Sequence, residues 1–184
     1  MTVVVPELFR SQSLVKAARR TEFSLKLRLL REPGVVITNV PVVAEEASLP
    51  APERIACRIL VSGGHAASLR AVRYAETLGL DDTRAVFFAF DADEAERMRE
   101  EWAEHELEVP LEIEEAKFRD IGDPLLAHLR QITADPKAVA AVIMPELIFS
   151  GLARTLHNQR ALYIKRLLLL EPRVVLSSVP YRLD

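Results

Sequence analysis

The first forty residues of this chain are written a second time at its end. Residues 2–41 align with residues 141–180 at a constant offset and without a gap. Val3-Val4-Val5-Pro6-Glu7-Leu8 answers Val142-Ile143-Met144-Pro145-Glu146-Leu147, Lys26 answers Lys165, and Glu32-Pro33 answers Glu171-Pro172. Roughly 14 of 40 positions are identical, and eight of the others exchange one apolar residue for another. The duplicated unit reads strand, long helix, strand. The stretch between the copies, from about Ile55 to Ala140, has no counterpart. The chain therefore holds one complete domain preceded by the last third of another. Such a fragment cannot bury its own apolar faces and has to pack against the complete domain or a second chain.

Strands are short, β-branched runs alternating with helical segments, the pattern of a parallel sheet covered on both faces. We expect strands near residues 3–6, 34–40, 58–62, 84–89, 111–115, 138–144 and 173–179. The helices are expected over about 12–31, 66–78, 92–106, 124–133 and 151–170. Asp123 before Pro124 reads as a helix cap followed by a first-turn proline. Gly79 reads as a left-handed helix stop, and the prolines at 33 and 172 end both long helices at one point of the repeat. Residues 1–43 form the partial βαβ repeat, 44–53 a linker rich in Ala, Ser, Glu and Pro, and 54–184 the α/β domain.

About five βα units from Ile55 onward make a doubly wound, mostly parallel sheet with a crevice between its first and fourth strands. The two copies of the last strand are expected to pair antiparallel about a local pseudo-twofold axis, extending the sheet to roughly seven strands.

About half of the 184 residues are apolar, which is enough for a sizeable core. The net charge of -3, with both signs interspersed, offers no basic stripe for nucleic acid or an anionic membrane. No apolar run approaches the roughly 18 residues of a membrane helix, and no signal peptide is visible. The single cysteine, Cys57, lies in an apolar segment and reads as a buried small hydrophobe, which fits a reducing, cytoplasmic setting.

The crevice of such a sheet is rimmed by Ser62, Gly63, Gly64 and His65 after the first strand and by Pro145 and Glu146 after the fourth. Glycines there let a ligand approach the backbone, and a helix N-terminus attracts phosphate; the alternative is an ordinary glycine turn. His157, Asn158 and Gln159 stand on successive helical positions that cannot all face one ligand, so helix-to-strand hydrogen bonds and an interface contact are better readings than ligand recognition. Val36, Val174 and Val175 join that interface through the paired last strands. His65, His105, His128 and His157 show no metal-ligand spacing. No nucleophile elbow or catalytic carboxylate pair is visible, so neither an enzyme nor a resident cofactor is expected.

Pro145-Glu146, Leu156-His157-Asn158-Gln159, Glu171-Pro172-x-Val174-Val175 and Ser178-Val179-Pro180-Tyr181, together with Ile59-Leu60-Val61-Ser62 and Ala71-x-Arg73-Tyr74-Ala75, carry a resemblance. The stretch resembles the C-terminal cytosolic tail of permease-like transporters of the amino acid/polyamine/organocation superfamily, whose tails are similar to the universal stress protein fold, with strand order 3-2-1-4-5. The resemblance implies a non-enzymatic regulatory and dimerisation domain, a homodimer, and a membrane domain as partner within a longer protein. It also implies an adenine nucleotide or cyclic di-AMP as ligand, since a potassium importer group of that superfamily has a tail resembling a cyclic di-AMP receptor. The glycine motif that holds ATP in nucleotide-binding universal stress proteins is replaced here by residues 145–151, with Glu146 where an anion would sit. A stand-alone nucleotide-binding protein and a purely structural dimerisation module are the alternatives.

Overall fold

The computed structural model describes residues 28–29, 32, 35–39, 52–116, 120–149 and 159–183. The chain divides into two units, residues 1–35 and 36–184. In the first, Arg28 and Leu29 are helical, and the Glu32 amide donates to the Leu29 carbonyl at 3.0 Å. In the second, the Glu171 amide donates to the Leu168 carbonyl at 3.2 Å. These are repeat-equivalent residues, so each copy leaves its helix through the same turn. The expected strand at 3–6 and most of the expected helix at 12–31 lie outside the described residues.

Among the described residues, the second unit is built on a six-stranded sheet in the order β1-β6-β5-β2-β3-β4. Its strands are β1 (Ile37–Asn39), β2 (Arg54–Val61), β3 (Asp82–Ala89), β4 (Leu111–Glu115), β5 (Ala138–Phe149) and β6 (Val174–Leu183). Its helices are α1 (Ala66–Glu76), α2 (Ala92–Glu104), α3 (Gly122–Thr133) and α4 (Gln159–Leu168). β2 through β6 pair in parallel, and β1 joins β6 antiparallel.

Alternate residues of the central strands feed two cores. Leu60, Val86, Val142 and Leu176 pack with Leu125 and Leu129 of α3 and with Ile164 and Leu168 of α4. Cys57, Ile59, Ala85 and Ile143 pack on the other face with Val72 of α1 and with Met98 and Trp102 of α2. A strand buried on both faces reads as a continuous apolar run, as Ile59-Leu60-Val61 does.

Several boundaries differ from those expected. β5 does not stop at Met144 but runs through Pro145 to Phe149, matched by β6 as far as Leu183. Among the described residues, the strand past Ile143 pairs only with β6. One side is thus free of ladder bonds, the situation in which a strand tolerates a proline. The α3 helix starts at Gly122 without a side-chain cap from its N-cap residue. Asp120, not Asp123, serves this end, accepting the Gly122 amide at 2.8 Å. Gly79 has the expected left-handed backbone, with φ of +60°.

Candidate functional site

The two central strands part company at their C-terminal ends. β2 and β5 pair only as far as Ile59 and Ile143, whereas β2 continues to Val61 and β5 to Phe149. A crevice of about 510 Å³ opens there. Its walls are Leu60, Val61, Pro145 and Leu147 from the strand ends, Phe87, Phe88 and Phe90 at the end of β3, and Ala161 and Ile164 of α4. Arg97, Met98 and Glu101 of α2 close the side.

Ser62, Gly63 and His65 line this space. His65 caps α1: its Nδ1 accepts the Ser68 amide at 3.3 Å, which leaves the proton on Nε2 to be donated to Ser62 Oγ at 3.1 Å. Gly63 has φ of +149°, a conformation side chains rarely adopt. Gly64 is otherwise engaged: its amide donates to Glu101 Oε2 at 2.8 Å, and its carbonyl accepts from His105 Nε2 at 2.8 Å. The amide at this helix N-terminus is thus already held by a carboxylate of the chain itself.

Pro145 lines the crevice, whereas Glu146 points to the opposite face of β5. There it accepts Lys165 Nζ of α4 at 2.7 Å, with side chains 9% and 19% exposed respectively. Val174 is buried in the core and Val175 half-buried, while Val36 packs on the α1 and α2 side of the sheet. Gln159 opens α4; His157 and Asn158 lie outside the described residues.

The charged groups of the crevice are mostly occupied. Glu94 accepts the Phe90 amide at 2.9 Å, and its own amide bonds the Asp91 carboxylate at 2.8 Å, a reciprocal cap of α2. Glu101 holds Gly64. Arg97 is the charged lining group left without a hydrogen bond or ion pair among the described residues. Sequence reasoning did not reach Arg97, Glu101 or the three phenylalanines. The rule that a crevice sits at the C-terminal ends of strands would have found the run Phe87-Phe88-Ala89-Phe90, had it been applied to the second strand of the domain as well.

A second polar group lies away from the crevice. Arg58, 6% exposed in central strand β2, bonds both carboxylate oxygens of Asp82, at 3.2 and 3.3 Å. Burial pushes the Asp82 carboxyl up, but bonds and charge from Arg58 and Arg84 outweigh it and hold the group below the usual carboxylate range. Arg58 Nε also donates to His128 Nε2 at 3.2 Å, which puts the His128 proton on Nδ1, facing Glu114 Oε1 at 3.1 Å. Glu112, Glu114 and His128 present ligand atoms within 4.8 Å of one another. Arg58, His128 and Glu114 form a hydrogen-bonded chain in which both ring nitrogens are engaged, and the abutting guanidinium disfavours a cation, while Glu112 Oε2 is buried without a hydrogen-bond partner among the described residues. Burial raises the Cys57 thiol above its ordinary value, in keeping with a side chain fully enclosed in the core.

No described helix is long and apolar enough to cross a membrane. A search among curated proteins returns no match. The model of the KimA potassium transporter C-terminal domain family matches residues 53–181. The match supports a transporter's C-terminal domain and does not extend to an amino acid permease. Since it spans well over half of the chain, including β2 to β5 and most of β6, the chain belongs to the KimA potassium transporter C-terminal domain family.

Proposed function

We propose that this chain is a non-enzymatic, cytoplasmic regulatory domain of a potassium transporter, which binds an adenine nucleotide or dinucleotide in the crevice. Its partner is the membrane part of a longer protein. The observation that carries the ligand reading is Arg97, unpaired among the described residues, beside an aromatic wall. A purine ring finds stacking surface on Phe87, Phe88 or Phe90, and an anionic phosphate finds a guanidinium without a competing carboxylate bond. The volume of about 510 Å³ lies within the range of small-molecule sites.

The test is thermal unfolding with ATP, AMP, cyclic AMP and cyclic di-AMP, on the wild-type chain and on Arg97→Ala. A ligand at 100 times its dissociation constant adds about 2.7 kcal/mol, and the shift should be lost in the variant. Absence of any shift across the panel rejects the nucleotide reading. A purely structural association module is the second reading. It is favoured by the Gly64 amide, which is committed to Glu101 and so is not offered to a phosphate.

A further inference from the structure

The register of β1 on β6 coincides with the phase of the sequence repeat. Ile37 lies opposite Ser178, Thr38 opposite Ser177 and Asn39 opposite Leu176. In the repeat, Ile37 is equivalent to Leu176, Thr38 to Ser177 and Asn39 to Ser178. Replacing each β1 residue by its equivalent gives Leu176 opposite Ser178, Ser177 opposite Ser177, and Ser178 opposite Leu176. That is a self-complementary antiparallel ladder, closed on a twofold axis at Ser177. The central pair of the observed ladder is itself repeat-equivalent, and its hydroxyls, Thr38 Oγ1 and Ser177 Oγ, are 2.7 Å apart.

The two edges of the sheet differ in a way that bears on this. β4, at one edge, has the sequence Leu-Glu-Ile-Glu-Glu, and such charges discourage another strand from adding there. β6, beneath β1 at the other, reads Val-Val-Leu-Ser-Ser-Val-Pro-Tyr from Val174 to Tyr181 without a charge. Its counterpart, Val35 to Pro41, is uncharged as well. Along the stretch that β1 covers, Leu176 to Ser178, β6 carries neither charge nor proline, and an edge without such protection is open to pairing.

We propose that β6 is a self-recognition strand whose fitting partner is the β6 of a second copy, and that β1 occupies this edge within the chain as a stand-in for that copy. The repeat thereby gives one chain the strand junction of a two-fold pair and blocks its β6 from further copies. This inference rests on strand register alone and stands or falls separately from the nucleotide reading.

The test uses the full chain and light scattering, with a short bifunctional thiol cross-linker and folding followed through Trp102 fluorescence. Thr38→Pro removes a backbone donor from β1 and should release the β6 edge, doubling the mass. In that background Ser177→Cys should cross-link one chain to another, whereas Ser177→Cys alone should stay monomeric. Thr38→Lys, which keeps the backbone donors, gives the same readout should the proline variant fail to fold. An added peptide of residues 174–181 should bind the released edge and return the mass to that of one chain. A folded Thr38 variant that remains monomeric and ignores the peptide would overturn the proposal. So would a chain with Thr38 intact that cross-links to a second copy through Ser177→Cys, because β1 would then not be holding the edge.

Discussion

Arg58 places a permanent positive charge in the central strand, and Asp82 is the carboxylate that bonds it through both oxygens. Because the Asp82 pKa is depressed on folding, its contribution is fully present above the unfolded value of about 3.9 and is lost as pH falls through the folded value. Asp82→Asn should cost about 1–2 kcal/mol at pH 7, reduced from the figure for a dry pair because Asp82 keeps about a quarter of its side chain in solvent. Thermal melts of both forms between pH 7 and pH 3 should show that gap closing with acid; a gap that stays constant would mean Asp82 acts by packing and not by charge. None of this polar group was legible in the sequence. Arg58, Asp82, Glu114 and His128 come from separate segments, and their spacing matches no motif. The backbone left a better trace. Arg173 has φ of +60°, and its repeat equivalent is Gly34, the residue type suited to that conformation.

At the scale of elements, the alternation of strand and helix was readable, but the lengths of β5 and β6 were not. Pro145 and Pro180 look like terminators, yet they pair side by side with Val179 and Glu146 in a two-strand extension beyond the rest of the sheet. Proline stops a strand only where both of its edges need donors, and pairing partners are a tertiary fact. The Glu146–Lys165 pair that ties this extension to α4 was visible as two repeat identities, since Glu7 and Lys26 recur at the same spacing. Its meaning as an ion pair needed the fold. Lys165→Met should cost about 2–3 kcal/mol by stranding a buried carboxylate, somewhat less than for a fully dry pair. Adding Glu146→Leu should recover much of that loss. Denaturant unfolding of the two single variants and the double variant measures the coupling, and simple additivity of the two costs would show that the pair contributes nothing beyond its separate side chains.

The sheet and its helices in residues 36–184 should unfold as one cooperative body, because both cores hang on the same strands. Ile59 faces the α1 and α2 layer and its neighbour Leu60 faces α3 and α4, so neither layer can lose its sheet without the other losing it too. Ile59→Ala and Leu125→Ala remove fully buried side chains on opposite faces, and each should cost about 2–5 kcal/mol. Trp102 reports from one layer, with its indole Nε1 bonded to the Val109 carbonyl at 2.9 Å. If the body is cooperative, Leu125→Ala shifts the Trp102 fluorescence transition as far as it shifts the circular dichroism transition, although residue 125 belongs to the opposite core. A fluorescence transition that stays at its wild-type midpoint while the dichroism moves would mean that the layers melt separately. The crevice between β2 and β5 would then be bounded by two bodies of unequal stability. A ligand bridging Arg97 on α2 and Ile164 on α4 would in that case stabilise the weaker one first, and the same pair of probes would show which layer that is.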